Sequence, residues 1–521
     1  MPPETPARVA KALARRGFNA EREAVTLLAD ASDPEAAIER TLQTVPPEAY
    51  TVTTDHVRSV IDGTPHPGQD AETRSLDRDS PTETKGVGGS GATAELEAAE
   101  SDAAAGSSAD RQAPSQRQTG SRSLVIRNDM TGESTGTGVY DDFVAVFRDR
   151  YERLSKLLRG RVTHRPTSAL PEMNGGGETA CIGLISDIRS TASGHWLIEL
   201  EDTSGTFPVL ISKDSDVAGV VDELLLDEVI AVEGRLSDDS GILFVDSVHF
   251  PDVPRTFEPT TADRHVQAAL VSDLHVGSQE FLADAWDDFA DWLHTEEATS
   301  VEYLLIAGDM VEGVGVYPDQ DQELEIIDLY EQYAEFAERL KAVPGDLDIV
   351  MIPGNHDAVR LAEPQPGFDE ELRSIMAVHD ATVASNPSSV ELEGVSVLMY
   401  HGVSLDEVIA ELPAELASYD DPQGAMAYLL KKRHVAPQFG ERTRLAPEDR
   451  DYLVIDAVPD VFHAGHVHKL GTGRYHNVTI VNSGCWQAQT RFQRRVNIDP
   501  DAGYAPILDL DTLEVTLRKF T

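Results

Sequence analysis

The sequence predicts a multi-domain chain in which a small helical module, a disordered tether and a helix-led β-barrel precede a layered α/β domain. Three observations carry this. The 521 residues, at roughly 150 per domain, leave room for about three folded units, and a hydrophobic content of 40% is that of a globular chain. The apolar period changes along the chain, from helical spacing to alternation and then to apolar runs separated by amphipathic segments. Between the first two of these lies a long stretch, Gly63 to Gly138, rich in Gly, Ser, Thr, Asp, Pro and Gln. It has too little to bury to order itself.

Residues 1–61 read as the helical module, a docking or interaction unit. Val9, Leu13, Ala14 and Phe18 recur at helical spacing, and Ser32–Glu39 carries helix-start chemistry, with Pro34 just inside the start and acids in the first turn. Residues 62–137 read as the disordered linker. Residues 138–255 open on a helical face that includes Tyr140, Phe143, Phe147, Tyr151 and Leu154. Five strands follow: Cys181–Ile188, His195–Asp202, Thr206–Ser212, Glu228–Leu236 and Ile242–Phe250. Five short strands with a helical insert near Ala218–Leu226 match an OB-fold, a barrel that often holds single strands of nucleic acid by stacking on aromatics. Trp196 and Phe207 could supply such rings and could equally be core.

Residues 264–521 alternate strands with helices. Apolar strands run into Asp273-Leu274-His275, Asp309, Asn355-His356-Asp357, His401-Gly402 and His466-Val467-His468. Phe281–His294 and Asp328–Leu340 read as helices between them, which argues a layered α/β domain with ligands gathered at the carboxyl ends of strands.

Lys+Arg of 43 against Asp+Glu of 91 gives a net charge of −48. Only 9 of the basic residues are lysine, and the acid is spread through every segment. This reads as a surface adapted to molar salt, where the Debye length is about 3 Å and net charge no longer excludes a nucleic-acid partner. Two cysteines exclude a disulfide framework and a cysteine-based zinc site and suit a reducing compartment. No apolar run approaches about 18 residues, and the first residues lack an apolar signal core, so a cytoplasmic protein without a transmembrane helix is expected.

Asp, Asn and His offer hard oxygen and borderline nitrogen donors, the set for Mn²⁺, Fe²⁺ or Zn²⁺. A bridging carboxylate can hold two such ions about 3.5–4 Å apart, which clamps a phosphate and activates a water. Each DxH or HxH alone is weak, but five in order after apolar strands, several beside glycine, are strong together.

The series Asp273-x-His275, Gly308-Asp309, Gly354-Asn355-His356-Asp357, His401 and Gly465-His466-x-His468 resembles the calcineurin-like metallophosphoesterases, which fold as a two-layer β-sandwich flanked by helices. The resemblance implies one metal on Asp273, His275, Asp309 and His468. Asp309 would bridge to a second, held also by Asn355, His401 and His466. It makes His356 the acid at the leaving oxygen, oriented by Glu312 or Asp357; Asp357 is equally a structural acid. His463 reads as packing. Mn²⁺ is the foremost metal, with Mg²⁺, Fe²⁺ or Zn²⁺ also fitting.

The domain order, together with Gly308–Gln320, His401–Ile409 and Asn482–Thr490, resembles the small subunits of the archaeal two-subunit family D DNA polymerase. That resemblance implies a 3′–5′ exonuclease acting for proofreading on single-stranded or mispaired 3′ ends of DNA, paired with a large subunit that carries the polymerase site. It leaves the large subunit, a sliding clamp or another factor as the partner of residues 1–61. The competing reading is a catalytically silent scaffold, as in the eukaryotic B-subunits, but those have lost metal ligands and this chain retains every ligand type. Arg433, Arg491, Arg494 and Arg495 are candidates for contacts to DNA.

Overall fold

The computed structural model describes residues 5–46, 49–61, 122–134, 138–440, 443–495 and 497–520. Two six-stranded sheets form the C-terminal half. In the first, Thr382–Val383, Asp348–Ile352, Val301–Ala307 and Gln267–Val271 run parallel, and Tyr504–Asp509 and Val515–Lys519 extend it antiparallel. In the second, Val395–Met399, Val461–Ala464 and Val478–Ser483 run parallel, flanked by Leu470–Tyr475 and Ser388–Leu392.

The strands read as continuous apolar runs because both faces are buried. Along Gln267–Val271, Ala268 and Leu270 meet Val397, Val461 and Val481 of the other sheet. Ala269 and Val271 of the same strand pack under Trp286, Phe289, Tyr333 and Phe336. Those rings belong to the helices Ala283–Leu293 and Leu329–Leu340. Helices Leu405–Glu411 and Pro422–Lys432 cover the outer face of the second sheet, where Leu405, Met426 and Leu429 meet Phe462 and Ile480. The result is four layers, helix on sheet on sheet on helix. Each fully buried Leu, Val or Phe in them contributes about 1.5–3 kcal/mol.

Residues 178–249 form a closed five-stranded barrel, Glu178–Ser190, Trp196–Asp202, Gly205–Ile211, Leu243–His249 and Val229–Leu236 in order around it. The insert near Ala218 is a short 3₁₀ segment, Ala218–Glu223. Phe207 is 2% exposed in the barrel core, so it offers no ring to a ligand, while Trp196 is half-buried against that core. Helix Tyr140–Leu158 packs on the barrel through Tyr151, Leu154 and Leu158. Two buried ion pairs lock the barrel and its helix to the sheets: Arg150 Nε to Asp451 Oδ2 at 2.7 Å and Lys432 Nζ to Glu228 Oε2 at 2.6 Å.

The predicted linker, 62–137, departs from expectation at its far end. Leu124–Arg127 pairs antiparallel with Ser388–Leu392 as an edge strand of the second sheet. Its Leu124 and Ile126 pack on the inter-sheet core. Residues 62–121 and 135–137 lie outside the described residues.

The N-terminal module folds around Leu13, Val25, Leu28 and Ile38, with Asp33 capping the helix Pro34–Leu42 through the Ala36 N–H at 3.1 Å. It docks on the outer helical layer of the first sheet. Arg22 donates to the Ala298 carbonyl at 2.7 Å, and Asn19 Nδ2 to that of Val343 at 2.6 Å. Among the described residues no helix is long and apolar enough to cross a membrane.

Candidate metal centre

The parallel strands of both sheets end along one rim, and the turns after them carry the predicted ligands. Asp273 and His275 follow Gln267–Val271, Asp309 follows Val301–Ala307, and Asn355 follows Asp348–Ile352. From the second sheet, His401 follows Val395–Met399, and His466 and His468 follow Val461–Ala464. The turns are sharp. Asp273, His275, Asp309, His466 and His468 all adopt positive φ, between 52° and 70°, a region that Asp and His enter more readily than most residues with a Cβ. Glycine makes room for them: a Cβ on Gly354 would stand 2.2 Å from Asp309 Oδ1, and one on Gly465 2.3 Å from Asp273 Oδ2.

Two donor groups result. Asp273, His275 and His468 converge with donor atoms inside 4.8 Å, as do Asp309, His401 and His466. Asp309 faces both, with Oδ2 3.3 Å from His401 Nε2 and 3.8 Å from His275 Nε2. Asn355 Oδ1 lies 3.0 Å from His401 Nε2. All seven predicted ligands are thus brought together.

Two imidazoles are aimed by backbone carbonyls through Nδ1, which leaves Nε2 for the pocket. His401 Nδ1 donates to the Ala307 carbonyl at 2.8 Å, and His356 Nδ1 to that of Glu312 at 2.7 Å. His275 Nδ1 stands 3.0 Å from Glu312 Oε2. His468 Nδ1 lies 2.8 Å from Gln493 Nε2, the amide whose Oε1 accepts from the Thr490 N–H. His466 differs, with Nε2 3.4 Å from Asp406 Oδ2.

Opposite charges face one another in the buried site. Asp273 and Asp309 are buried to 0% and 1% exposure. Burial opposes their ionisation, yet His468 beside Asp273 and His401 beside Asp309 hold both carboxyls below their ordinary range. Burial likewise opposes a charge on His401, yet Asp309 lifts its pKa to about 10. Two buried carboxylates, an amide oxygen and four imidazoles facing one space fit a pair of divalent ions. Nε2 of His275 and Nε2 of His468 stand 3.0 Å apart, as ligands to one ion would.

The orienting acids depart from expectation. His356 is held by the backbone carbonyl of Glu312, not by a carboxylate. The Glu312 carboxylate turns instead to His275, Tyr317, Gln320 and Gln487. Asp357 accepts from the Gly354 N–H at 2.8 Å and the Tyr333 hydroxyl at 3.0 Å and so braces the turn; burial and then Asp309 push its pKa up to about 7. His463 is fully buried, with Nε2 3.2 Å from Ser483 Oγ. Arg433 is 3% exposed and donates to the Ile455 carbonyl at 2.9 Å, so it is no surface contact. Arg491, Arg494 and Arg495 are exposed on a short helix, Arg491–Arg495, beside the pocket. Sequence reasoning missed Gln487, Gln493 and Asp406, whose partners are distant along the chain. A pocket opens over the centre, lined by His275, His356, His466 and His468 together with Tyr317, Tyr419 and the exposed Phe492.

The family model for the B-subunit of DNA polymerases alpha and epsilon matches residues 268–470. The DNA polymerase II small subunit of Halobacterium salinarum is 62% identical over 521 residues, the whole of both chains. That of Archaeoglobus fulgidus is 43% identical over 389 residues, 73% of this chain and 77% of its own. A solved archaeal phosphodiesterase is 14% identical and covers 49% of this chain and 99% of its own, with a TM-score of 0.24, a likeness that carries no argument. This chain belongs to the family of DNA polymerase II small subunits, the small subunits of archaeal family D DNA polymerase.

Proposed function

We propose that this protein is the proofreading 3′–5′ exonuclease of a replicative polymerase whose large subunit carries the polymerase site. The observation that carries the reading is the convergence of Asp273, His275, Asp309, Asn355, His401, His466 and His468 around one pocket with His356 at its wall. Asp273, His275, Asp309 and His468 would hold one ion, and Asp309, Asn355, His401 and His466 a second. Two divalent ions there, Mn²⁺ foremost, supply Lewis acidity to a phosphoryl oxygen and to the attacking water.

The protein's own groups do the positioning. The His356 backbone N–H donates to Asp309 Oδ1 at 2.8 Å, which fixes the ring relative to the bridging carboxylate. Its Nδ1 is engaged by the Glu312 carbonyl, so Nε2 is the atom that delivers a proton to the departing 3′-oxygen. Water adds to phosphorus, the P–O3′ bond breaks, and a nucleoside 5′-monophosphate leaves. The barrel is read as an OB-fold, placed to contact DNA or the large subunit, and the acidic surface as an adaptation to molar salt.

The test is hydrolysis of a 3′-labelled single-stranded oligonucleotide in molar KCl with Mn²⁺. Wild type releases mononucleotides stepwise. Asp309→Ala releases none while remaining folded. Full activity in Asp309→Ala overturns the scheme. No release by the wild type, even with the large subunit present, leaves the scaffold reading.

A further inference from the structure

Outside the metal centre, the pocket's lip combines features that the hydrolytic chemistry does not use. Phe492 is 43% exposed and stacks on Tyr317, ring centroids 5.3 Å apart and planes at 27°. Tyr317 is itself fixed, because its hydroxyl donates to Glu312 Oε1 at 3.1 Å. Its ring lies 6.3 Å from that of His356, so an aromatic series leads from the centre to solvent. Single exposed aromatics are common and mean little. This one is held in place: the neighbouring Gln493 of the same short helix lies 2.8 Å from His468 Nδ1 and accepts from the Thr490 N–H at 3.0 Å.

The charge is as unusual as the ring. The helix reads Arg-Phe-Gln-Arg-Arg, three basic residues in five, in a chain with 43 basic and 91 acidic residues. All three arginines are exposed, and the carboxylate nearest Arg494, Glu280, is a weak partner at 3.9 Å.

We infer that this lip receives the single-stranded DNA end, with Phe492 on Tyr317 stacking a base near the scissile phosphate and Arg491, Arg494 and Arg495 taking the phosphates behind it. The inference rests on the exonuclease reading of the same pocket and supplies its substrate contacts. Stacking suits an enzyme that must accept any mispaired terminus, because every base has a π-face. A paired base stacks on its neighbour instead, so the lip favours frayed ends. At molar salt the Debye length is about 3 Å, which weakens arginine–phosphate attraction and leaves stacking as the unscreened part of binding.

Two measurements on the full chain separate this from the exonuclease reading. The first uses a single-stranded oligonucleotide with 2-aminopurine at its 3′ end, bound without divalent ions so that nothing is cut. Its emission should fall on binding wild type, remain high with Phe492→Ala, and fall again with Phe492→Trp. The second compares cleavage of a natural oligonucleotide with one whose last two nucleotides are abasic. Wild type should prefer the natural end by about 5- to 150-fold, the worth of one stacked base, and Phe492→Ala should bring the ratio close to one. Arg494→Gln with Arg495→Gln should weaken all sequences alike and reduce the salt slope by about 0.7 per lost phosphate contact. A Phe492→Ala protein that keeps both the emission change and the ratio overturns the inference. If wild type cuts neither oligonucleotide, the exonuclease reading fails, and the emission change alone then decides whether the lip binds a DNA end.

Discussion

Glu312→Gln tests whether the acid behind His275 governs ion binding. Glu312 is 2% exposed, and both carboxylate oxygens are engaged. Oε1 receives the Tyr317 hydroxyl at 3.1 Å and Gln320 Nε2 at 3.1 Å. Oε2 receives Gln487 Nε2 at 2.7 Å and faces His275 Nδ1 at 3.0 Å. A glutamine has one acceptor oxygen. With that oxygen toward His275, its amide N–H opposes the Gln320 N–H; with the oxygen toward Gln320, it opposes His275 and Gln487. Either way a charged hydrogen bond is lost, at about 1.5–3 kcal/mol. If His275 bears the loss, ion affinity falls by about 10- to 100-fold, the range for groups that orient metal-bound histidines. Calorimetric Mn²⁺ titration in molar KCl measures it, with the far-ultraviolet spectrum as a fold control. Affinity within about twofold of wild type together with unchanged stability in urea would refute the reasoning, because neither His275 nor Gln320 would then need the charge on Glu312.

Three further outcomes follow from other parts of the molecule. Lys432→Met leaves the Glu228 carboxyl buried without its cation, both groups being at most 1% exposed; stability should drop by about 3–5 kcal/mol in urea, and Lys432→Met with Glu228→Leu should recover most of it. His434 sits between Arg150 and Asp451, with Arg153 nearby, and burial followed by Arg150 holds its pKa at about 4 against an ordinary 6.5. The unfolded chain therefore takes up the proton first, so this stability is complete above about pH 6.5 and declines by up to about 3 kcal/mol toward pH 4; thermal midpoints across that window should flatten in His434→Gln. Gly465→Ala drives a Cβ to 2.3 Å from both Asp273 Oδ2 and Ser272 Oγ, and ion affinity should fall by about tenfold or more, read by the same calorimetry.

What was legible in the sequence is what repeats locally. Apolar strands buried on both faces announce themselves as runs, and a ligand just past a run is at a strand end by construction. The gathering of these Asp, Asn and His residues at strand ends was therefore readable, as was the helix Tyr140–Leu158, whose inward face recurs every three to four residues. The edge strand Leu124–Arg127 was hidden because four residues inside a Gly- and Ser-rich stretch do not change its average composition. Arg433 read as surface charge because its acceptors, the carbonyls of Ile455 and Asp252, are far along the chain. The direction of the Glu312 carboxylate, and the choice between the two readings of Asp357, were not legible for a related reason. Asp357 directly follows His356 and Glu312 lies three residues past Asp309, so each stood near the motif as an orienting acid. Folding gave that task to a backbone carbonyl and turned the two carboxylates elsewhere.

The backbone of the centre bears on whether it is a relic or a working site. Five residues of ligand type adopt positive φ, a conformation uncommon for a residue with a Cβ although Asp and His enter it more readily than most. The turns hold one another in that state. The Asp273 N–H donates to the Gly308 carbonyl at 3.0 Å, that of His275 to Asp309 at 3.1 Å, and that of Gly465 to His401 at 2.8 Å. The His466 N–H reaches Asp273 Oδ2 at 2.9 Å. Glycine or asparagine would hold such turns at least as readily, so the backbone alone does not call for Asp and His at these positions. Turns that aim five such side chains at one space are what the proposed metal site would need, and the inference runs from the observed backbone to function rather than the reverse.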